Sequence, residues 1–212
     1  MGLRLALFLL VLTTPVMAQT PAVPNDVFIS PSRPVPVGKA PAMQAKLVKD
    51  SSDEQVYSII FYKGDEVMSG LTDFAIAHKI SDAHFTAIGA LSAATLGFFD
   101  IDRKDYVKIP VPQQVEVVSL VGNIALDKGQ PKVHAHAVVA KADGTALGGH
   151  LLEAHVRPTL EAMIVESPSV LRRRVDEKTG LPLIDLSQPT KETHHGSEHP
   201  RRHDSKSVRD TG

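Results

Sequence analysis

Three histidines that lie close together in the sequence have the residue type and spacing of a metal site. His134 and His136 are two residues apart in the valine-rich run Val133–Ala140. Side chains along a strand alternate between its two faces, so both imidazoles should project from the same face. After a turn at Lys141–Thr145 the chain returns with His150 directly behind two glycines. Three imidazoles on one strand pair would bind a divalent metal, most readily Zn²⁺, and leave one coordination position open.

Strand register decides whether the third histidine joins the other two. If Asp143-Gly144 were a plain two-residue loop, His136 would face Leu151, and His150 would point to the opposite side of the sheet. A bulge would bring His150 back to the face of His134 and His136. It could be a three-residue turn that ends on Gly144 or an extra residue at Gly148-Gly149. We therefore predict a bulge in this hairpin.

Three further side chains are candidates for catalysis: His84, Glu153 and Arg157. His84 or Glu153 could move protons, and Arg157 could hold an anionic substrate. Without a bulge, Glu153 would share a face with His134 and would be the better third metal ligand. The alternatives are structural, because a strand histidine often only packs or is solvated, and an arginine often pairs with an acid such as Glu116.

The rest of the chain reads as strands around one helix, which predicts an α+β fold with a largely antiparallel sheet. Helical spacing of apolar residues predicts a helix over about 66–79, capped by Asp65. Glycines at 89 and 97 suggest that the strand over 83–99 is bent. The other predicted strands are Met43–Lys49, Gln55–Tyr62, Tyr106–Val111, Val115–Leu126 and Thr159–Glu166, followed by a pair formed by Leu171–Arg174 and Leu181–Leu186.

Both ends of the chain are expected to lie outside this domain, which we place at 42–187. Arg4, the apolar run Leu5–Leu12 and the small residues at 16–18 have the pattern of a signal peptide over 1–18. The protein should then be periplasmic or secreted, beginning near Gln19. The proline-rich segment 19–41 is predicted to be a disordered leader, and the polar, histidine-rich segment 188–212 a disordered tail.

Composition limits the chemistry of the domain. The chain has no cysteine, so disulfides and thiolate ligands are excluded and a zinc site must use histidine or carboxylate. The formal net charge is −1, and residues 41–187 carry 15 Lys+Arg against 19 Asp+Glu, a net charge of −4. A nucleic-acid-binding domain is usually basic, so DNA is not expected as a partner.

Four segments together resemble the plants-and-prokaryotes-conserved (PPC) domain family in its bacterial form: Phe85–Leu91, Glu116–Ile124, His134-Ala135-His136 and Gly148–Leu151. The resemblance extends from about Tyr57 to Ile184. It implies a compact domain that assembles as a homotrimer, with His134, His136 and His150 at the family's metal-site positions.

The resemblance also bears on function. Plant members of the family join the domain to an Arg-Gly-Arg-Pro hook that enters the DNA minor groove, but the nearest match here, Ser32-Arg33-Pro34, lacks the glycine and the second arginine. A more distant resemblance is to acetolactate decarboxylase, which is similar in holding zinc with a His-x-His pair and a later histidine. The main expectation is an exported metal-binding protein of unknown activity with a small-molecule ligand. A zinc lyase or hydrolase of a small carboxylate and a DNA-binding protein are the alternatives.

Overall fold

The computed structural model describes residues 27–189 and confirms the α+β class with a single main helix in that range. Every pair of named strands is antiparallel. The elements are β1 Phe28–Ile29, β2 Gln44–Asp50, β3 Gln55–Tyr62, α1 Val67–Ala77, β4 Asp82–Asp100, β5 Asp105–Val111, β6 Val115–Asp127, β7 Gln130–Ala140, β8 Ala146–Glu166, β9 Arg173–Val175 and β10 Pro182–Ile184.

Two long strands, β4 and β8, organise the sheet. The strand order is β1-β5-β4-β6-β7-β8-β3-β2, and β4 also pairs with β8, so β4, β6, β7 and β8 form a closed circuit of pairings. The predicted bend in β4 is confirmed: its register against both β6 and β8 shifts at Gly89. This bend lets one half of β4 pair with β6 and the other half with β5.

The core lies between helix α1 and the sheet. Its fully buried side chains include Phe61 on β3, Leu71 on α1 and Phe85 on β4, and α1 packs against β7 and β8. On β7 the odd-numbered residues from Val133 to Val139 are buried. The even-numbered residues, which include His134 and His136, therefore lie on the face turned away from this core.

The prediction that Asp65 caps the helix is wrong by one residue. Glu66 is the cap, and its carboxylate accepts hydrogen bonds from the backbone amides of Met68, Ser69 and Ala154 at 3.1, 2.6 and 3.0 Å. Asp65 instead accepts from the amides of Ala42 and Tyr62. A carboxylate at either position can accept from the free amides of the first helical turn, and Asp65 is instead occupied by the amides of Ala42 and Tyr62.

The strand predicted over Thr159–Glu166 is shorter than the strand in the structure. It is the second half of the 21-residue strand β8, which runs from Ala146 to Glu166. Polar residues and a proline interrupt the apolar pattern there, which is why the sequence alone suggested a break. Pairing of β8 with β3, β4 and β7 holds the strand extended through them.

The leader prediction is wrong over residues 27–41, because this segment packs on the domain. Phe28–Ile29 pairs with β5, and the guanidinium of Arg103 lies 3.9 Å from the centre of the Phe28 ring. Val35 and Ala40 pack against the core. Proline content disfavours regular structure but not packing, so composition alone gave the wrong answer.

The signal peptide over 1–18, the remainder of the leader and the tail from 190 onward lie outside the described residues. Within residues 27–189, α1 is too short to cross a membrane, and no other helix meets that requirement.

Candidate metal centre

The hairpin between β7 and β8 contains the predicted bulge, and it is the three-residue turn that ends on Gly144. The amide of Gly144 donates to the carbonyl oxygen of Lys141, and the amide of Lys141 donates to that of Thr145, both at 2.9 Å. Gly144 has φ +81°, the left-handed conformation that glycine adopts at low cost. This turn places His136 directly opposite His150.

The three histidines therefore converge. The nearest ring nitrogens of His134, His136 and His150 all lie within 4.8 Å of one another, and their ring centroids are 5.1–5.3 Å apart. His134 and His150 are half-buried, and His136 is exposed. The group could hold a metal ion with small side-chain adjustments, using imidazole alone.

A glycine beneath the site allows β6 and β7 to pass close together. Gly122 on β6 pairs with Ala135, between the two histidines of β7. A Cβ atom at this position would collide with the Phe85 ring and with the carbonyl oxygen of His134. The absence of a side chain at 122 thus lets Phe85 fill the core directly under the three histidines.

Two side chains from other parts of the fold cover the site. The ring of Tyr106 on β5 stacks on His150 with a centroid distance of 4.4 Å and an interplanar angle of 17°. Arg173 on β9 donates to the side-chain oxygen of Asn123, the residue paired with His134 across β6 and β7. Under this cover, His150 Nδ1 is buried and has no hydrogen-bond partner among residues 27–189.

The burial keeps two of the imidazoles neutral. Burial, helped by the charge of Arg173 and the neighbouring His136 and Lys132, lowers the pKa of His134 to about 4. Burial, followed by the charges of the other two histidines and Lys132, lowers the pKa of His150 to about 3. Because metals bind the unprotonated ring, these side chains are in the binding form at neutral pH.

A cavity of about 110 Å³ opens beside His134 and His150. Its walls come from segments far apart in sequence: the chain at 29–36, Tyr106, Lys132-Val133, Leu151-Leu152 and the chain around Arg173 and 181–183. Arg173 is a functional candidate that the sequence reasoning missed. It lies in a run of three arginines at 172–174, a pattern typical of a solvated strand, and its contact with Asn123, fifty residues away, distinguishes it from its neighbours.

The structure does not bring the other predicted site residues to the three histidines. His84 is exposed on β4 and pairs with Asn123, so it lies two strands from His134, about 10 Å away at the usual strand spacing. Glu153 Oε1 accepts a hydrogen bond from His155 Nε2 at 3.0 Å, and both residues line a second cavity of about 270 Å³. Arg157 is exposed and lines neither cavity.

Solved structures with the same fold were found in several organisms. A candidate DNA-binding protein of Bacteroides thetaiotaomicron superposes with a TM-score of 0.62 at 26% identity, covering 68% of this chain and 99% of the other. A plant- and prokaryote-conserved protein of Pyrococcus horikoshii gives 0.59 at 29%, covering 67% and 94%. A metal-containing protein of Archaeoglobus fulgidus gives 0.58 at 30%, covering 68% and 98%.

Among curated proteins, the bifunctional protein GlmU of Synechococcus sp. (strain JA-3-3Ab) is 30% identical over 129 residues, which make up 59% of this chain. The chain spans about a fifth of the length of that relative. The model of the Plants and Prokaryotes Conserved (PCC) domain matches residues 48–168, more than half of the chain. Strands β4, β6, β7 and β8 and the three histidines lie within that match. The chain belongs to the Plants and Prokaryotes Conserved domain family.

Proposed function

We propose that this chain is an exported metal-binding protein in which His134, His136 and His150 hold a divalent ion, most readily Zn²⁺. The observation that carries the proposal is the convergence of three imidazoles within 4.8 Å on two registered strands. A structural relative from Archaeoglobus fulgidus is described as metal-containing, which agrees with a metal in this fold.

The residues present fit such an ion. His134 and His150 are neutral at neutral pH, and the buried Nδ1 of His150 has no other partner within the described chain. When bound, a divalent ion supplies a Lewis acid that polarises a carbonyl group or activates a water molecule. Imidazole ligands also suit copper, nickel, iron and cobalt. We prefer zinc because three histidines with one open coordination position form a common zinc site.

Export and assembly belong to the same proposal. The signal-like pattern over 1–18 supports a periplasmic or secreted location. Beyond His136 the outer face of the sheet carries exposed apolar side chains, among them Ile88, Val118, Val121 and Met163, which are 41–63% exposed. Apolar residues grouped in this way on a sheet face favour burial against another surface. We propose that copies of the chain meet there as a homotrimer.

Metal analysis of the full chain, purified without an affinity tag, tests the metal proposal. The wild type should retain about one equivalent of zinc after dialysis against a weak chelator, which removes metal held by the histidines of the tail. The double variant His134→Ala/His136→Ala should retain none. Substituting two of the three ligands leaves a single imidazole, which is too few for a stable site.

His84→Ala is the matched control, because His84 is exposed on the same sheet but lies away from the three histidines. It should bind as much zinc as the wild type. A wild type without stoichiometric metal, or metal retained by the double variant, contradicts the proposal.

A lyase or hydrolase acting on a small carboxylate is the second candidate function, and the cavity beside His134 and His150 favours it. His84 and Arg157 would not serve it, because neither lines the cavity. DNA binding has less support, because Arg33 and Pro34, which lie in the nearest match to the hook sequence, line this same cavity. Duplex binding with a steep salt dependence would restore the DNA alternative.

A further inference from the structure

The cavity beside the histidines has an unusual charge balance. Three cationic side chains line it, Arg33, Lys132 and Arg173, and no Asp or Glu is among its lining residues in the described chain. The whole sequence has nearly equal numbers of acidic and basic residues, so the excess of positive charge is confined to this cavity. Asp127, which is not a lining residue, has its carboxylate 3.4 Å from Lys132 Nζ, and its charge also acts on Arg173. The cavity is therefore an electropositive pocket.

Among the three lining cations, Arg173 is the one with a buried polar atom that lacks a hydrogen-bond partner in the described chain. Its Nη2 donates to the amide oxygen of Asn123, and its Nη1 donates to the carbonyl oxygen of Pro182 at 3.1 Å. Its Nε is buried and has no hydrogen-bond partner among residues 27–189. Both acceptors are neutral, and among the described residues no carboxylate lies within 4 Å of this half-buried guanidinium, although the charge of Asp127 acts on it from farther away. A partly desolvated cation without a contacting anion is costly. The neighbouring Arg174 differs, since it is mostly exposed and pairs with Asp185 at 3.3 Å.

The walls and the volume limit what can enter. Most of the lining is apolar and includes Pro34, Val133, Leu151 and Leu181, which disfavours a fully hydrated inorganic ion. The volume is about 110 Å³, somewhat less than the roughly 150 Å³ of an engineered protein cavity that accommodates benzene. The space suits an organic molecule of about four to six non-hydrogen atoms.

We propose that this cavity binds a short-chain carboxylate, with its anionic group held by the guanidinium of Arg173 and its apolar body against the proline and leucine walls. The inference rests on the proposed function insofar as two of the three metal ligands, His134 and His150, line the same cavity. A planar carboxylate matches the hydrogen-bonding geometry of a guanidinium better than a point charge does. Arg173, rather than Arg157, is therefore the residue that recognises the substrate carboxylate.

Calorimetric titration of the full chain with butyrate, butyramide and inorganic phosphate tests the proposal. Butyrate and butyramide have the same number of non-hydrogen atoms and differ in charge. Butyrate should bind the wild type at least about tenfold more tightly than butyramide, because only the anion can form a bidentate ion pair with the guanidinium. Phosphate should bind more weakly than butyrate. Equal binding of the two organic probes, no butyrate binding, or tighter binding of phosphate overturns the proposal.

Two arginine variants locate the site. Arg173→Gln should weaken butyrate binding by about tenfold or more, while Arg174→Gln, the matched control, should stay within about twofold of the wild type. A folded Arg173→Gln with wild-type affinity overturns the proposal. The comparison of butyrate with butyramide uses the wild type alone, so it tests the proposal even if Arg173→Gln does not fold.

Metal analysis of the same samples separates this inference from the proposed function. Metal without butyrate binding overturns the carboxylate site alone. Butyrate binding without metal overturns the metal centre and leaves the carboxylate site standing, because Arg173 is not a metal ligand.

Discussion

The outer face of the sheet has a covered end and an open end, and the three histidines lie at the boundary between them. At the covered end, His134 and His150 are half-buried beneath Tyr106 and Arg173. At the open end, His136 is exposed beside Val121, its partner across the strands. Both ends are formed by the same antiparallel strands, so the difference lies in what packs on top of them.

The cover comes from segments at the two ends of the domain. Residues 29–36 precede the first long strand, and Arg173 and residues 181–183 follow the last. Together they create a cavity and desolvate two histidines. Over the open end the described chain supplies no equivalent segment, and large apolar side chains remain exposed there. The contrast shows that the pocket beside His134 and His150 takes its walls from both ends of the domain, whereas no segment of residues 27–189 covers the sheet face beyond His136.

The largest expected effect comes from breaking the scaffold that both ends share. Gly122→Ala places a Cβ atom against the Phe85 ring and the carbonyl oxygen of His134. Neither can move aside freely, because one belongs to the core and the other to the backbone of β7. The free energy of unfolding should fall by about 3 kcal/mol, at the upper end of the usual cost of overpacking. Urea denaturation of metal-free protein measures it.

Gly148→Ala is the control for this substitution. Its Cβ atom would lie 3.4 Å from Val138 Cγ2, an ordinary contact, so the free energy of unfolding should change by less than about 0.5 kcal/mol. Similar losses in the two variants would show that close passage of β6 and β7 at Gly122 is not what limits stability.

The sequence predicted those features of the fold and the site that are set by residues close together in the chain. The spacing of His134 and His136, the helix and the turn at Gly144 follow from residues a few positions apart, and the register of His150 followed from counting across that turn. Arg173 and the packed segment at 27–41 could not be predicted, because their partners are distant in sequence. Periodicity carries no information about such contacts.

The next effect, on assembly, tests whether the open end is covered by another copy. Val121→Glu places a carboxylate on the exposed face beside His136, where Val121 is 48% exposed in the single chain. If copies meet there, burying an unpaired charge should weaken association by roughly a hundredfold, because desolvating a carboxylate costs about 3 kcal/mol or more. Sedimentation equilibrium should show a trimer for the wild type and a monomer for the variant at equal concentration.

Val48→Glu serves as the matched control for assembly. Val48 is 51% exposed on β2, the edge strand at the far end of the sheet order, so this variant should remain trimeric. A wild type that sediments as a monomer contradicts the proposed assembly. Dissociation of Val48→Glu alone would place the contact at the sheet edge instead.

The smallest effect comes from thinning the cover over His150. Tyr106→Leu keeps an apolar side chain but removes the ring stacked 4.4 Å from the imidazole. Aromatic pairs contribute about 1 kcal/mol beyond their burial, so the free energy of unfolding should fall by about that amount. Zinc affinity, measured by competition with a chromogenic chelator, should fall by a factor of up to about ten, since the freed His150 imidazole must be ordered again on binding.

Tyr106→Phe retains the ring and should match the wild type. Unchanged zinc affinity in Tyr106→Leu would mean that the strands position His150 without the cover, and the covered and open ends would then hold their histidines equally well.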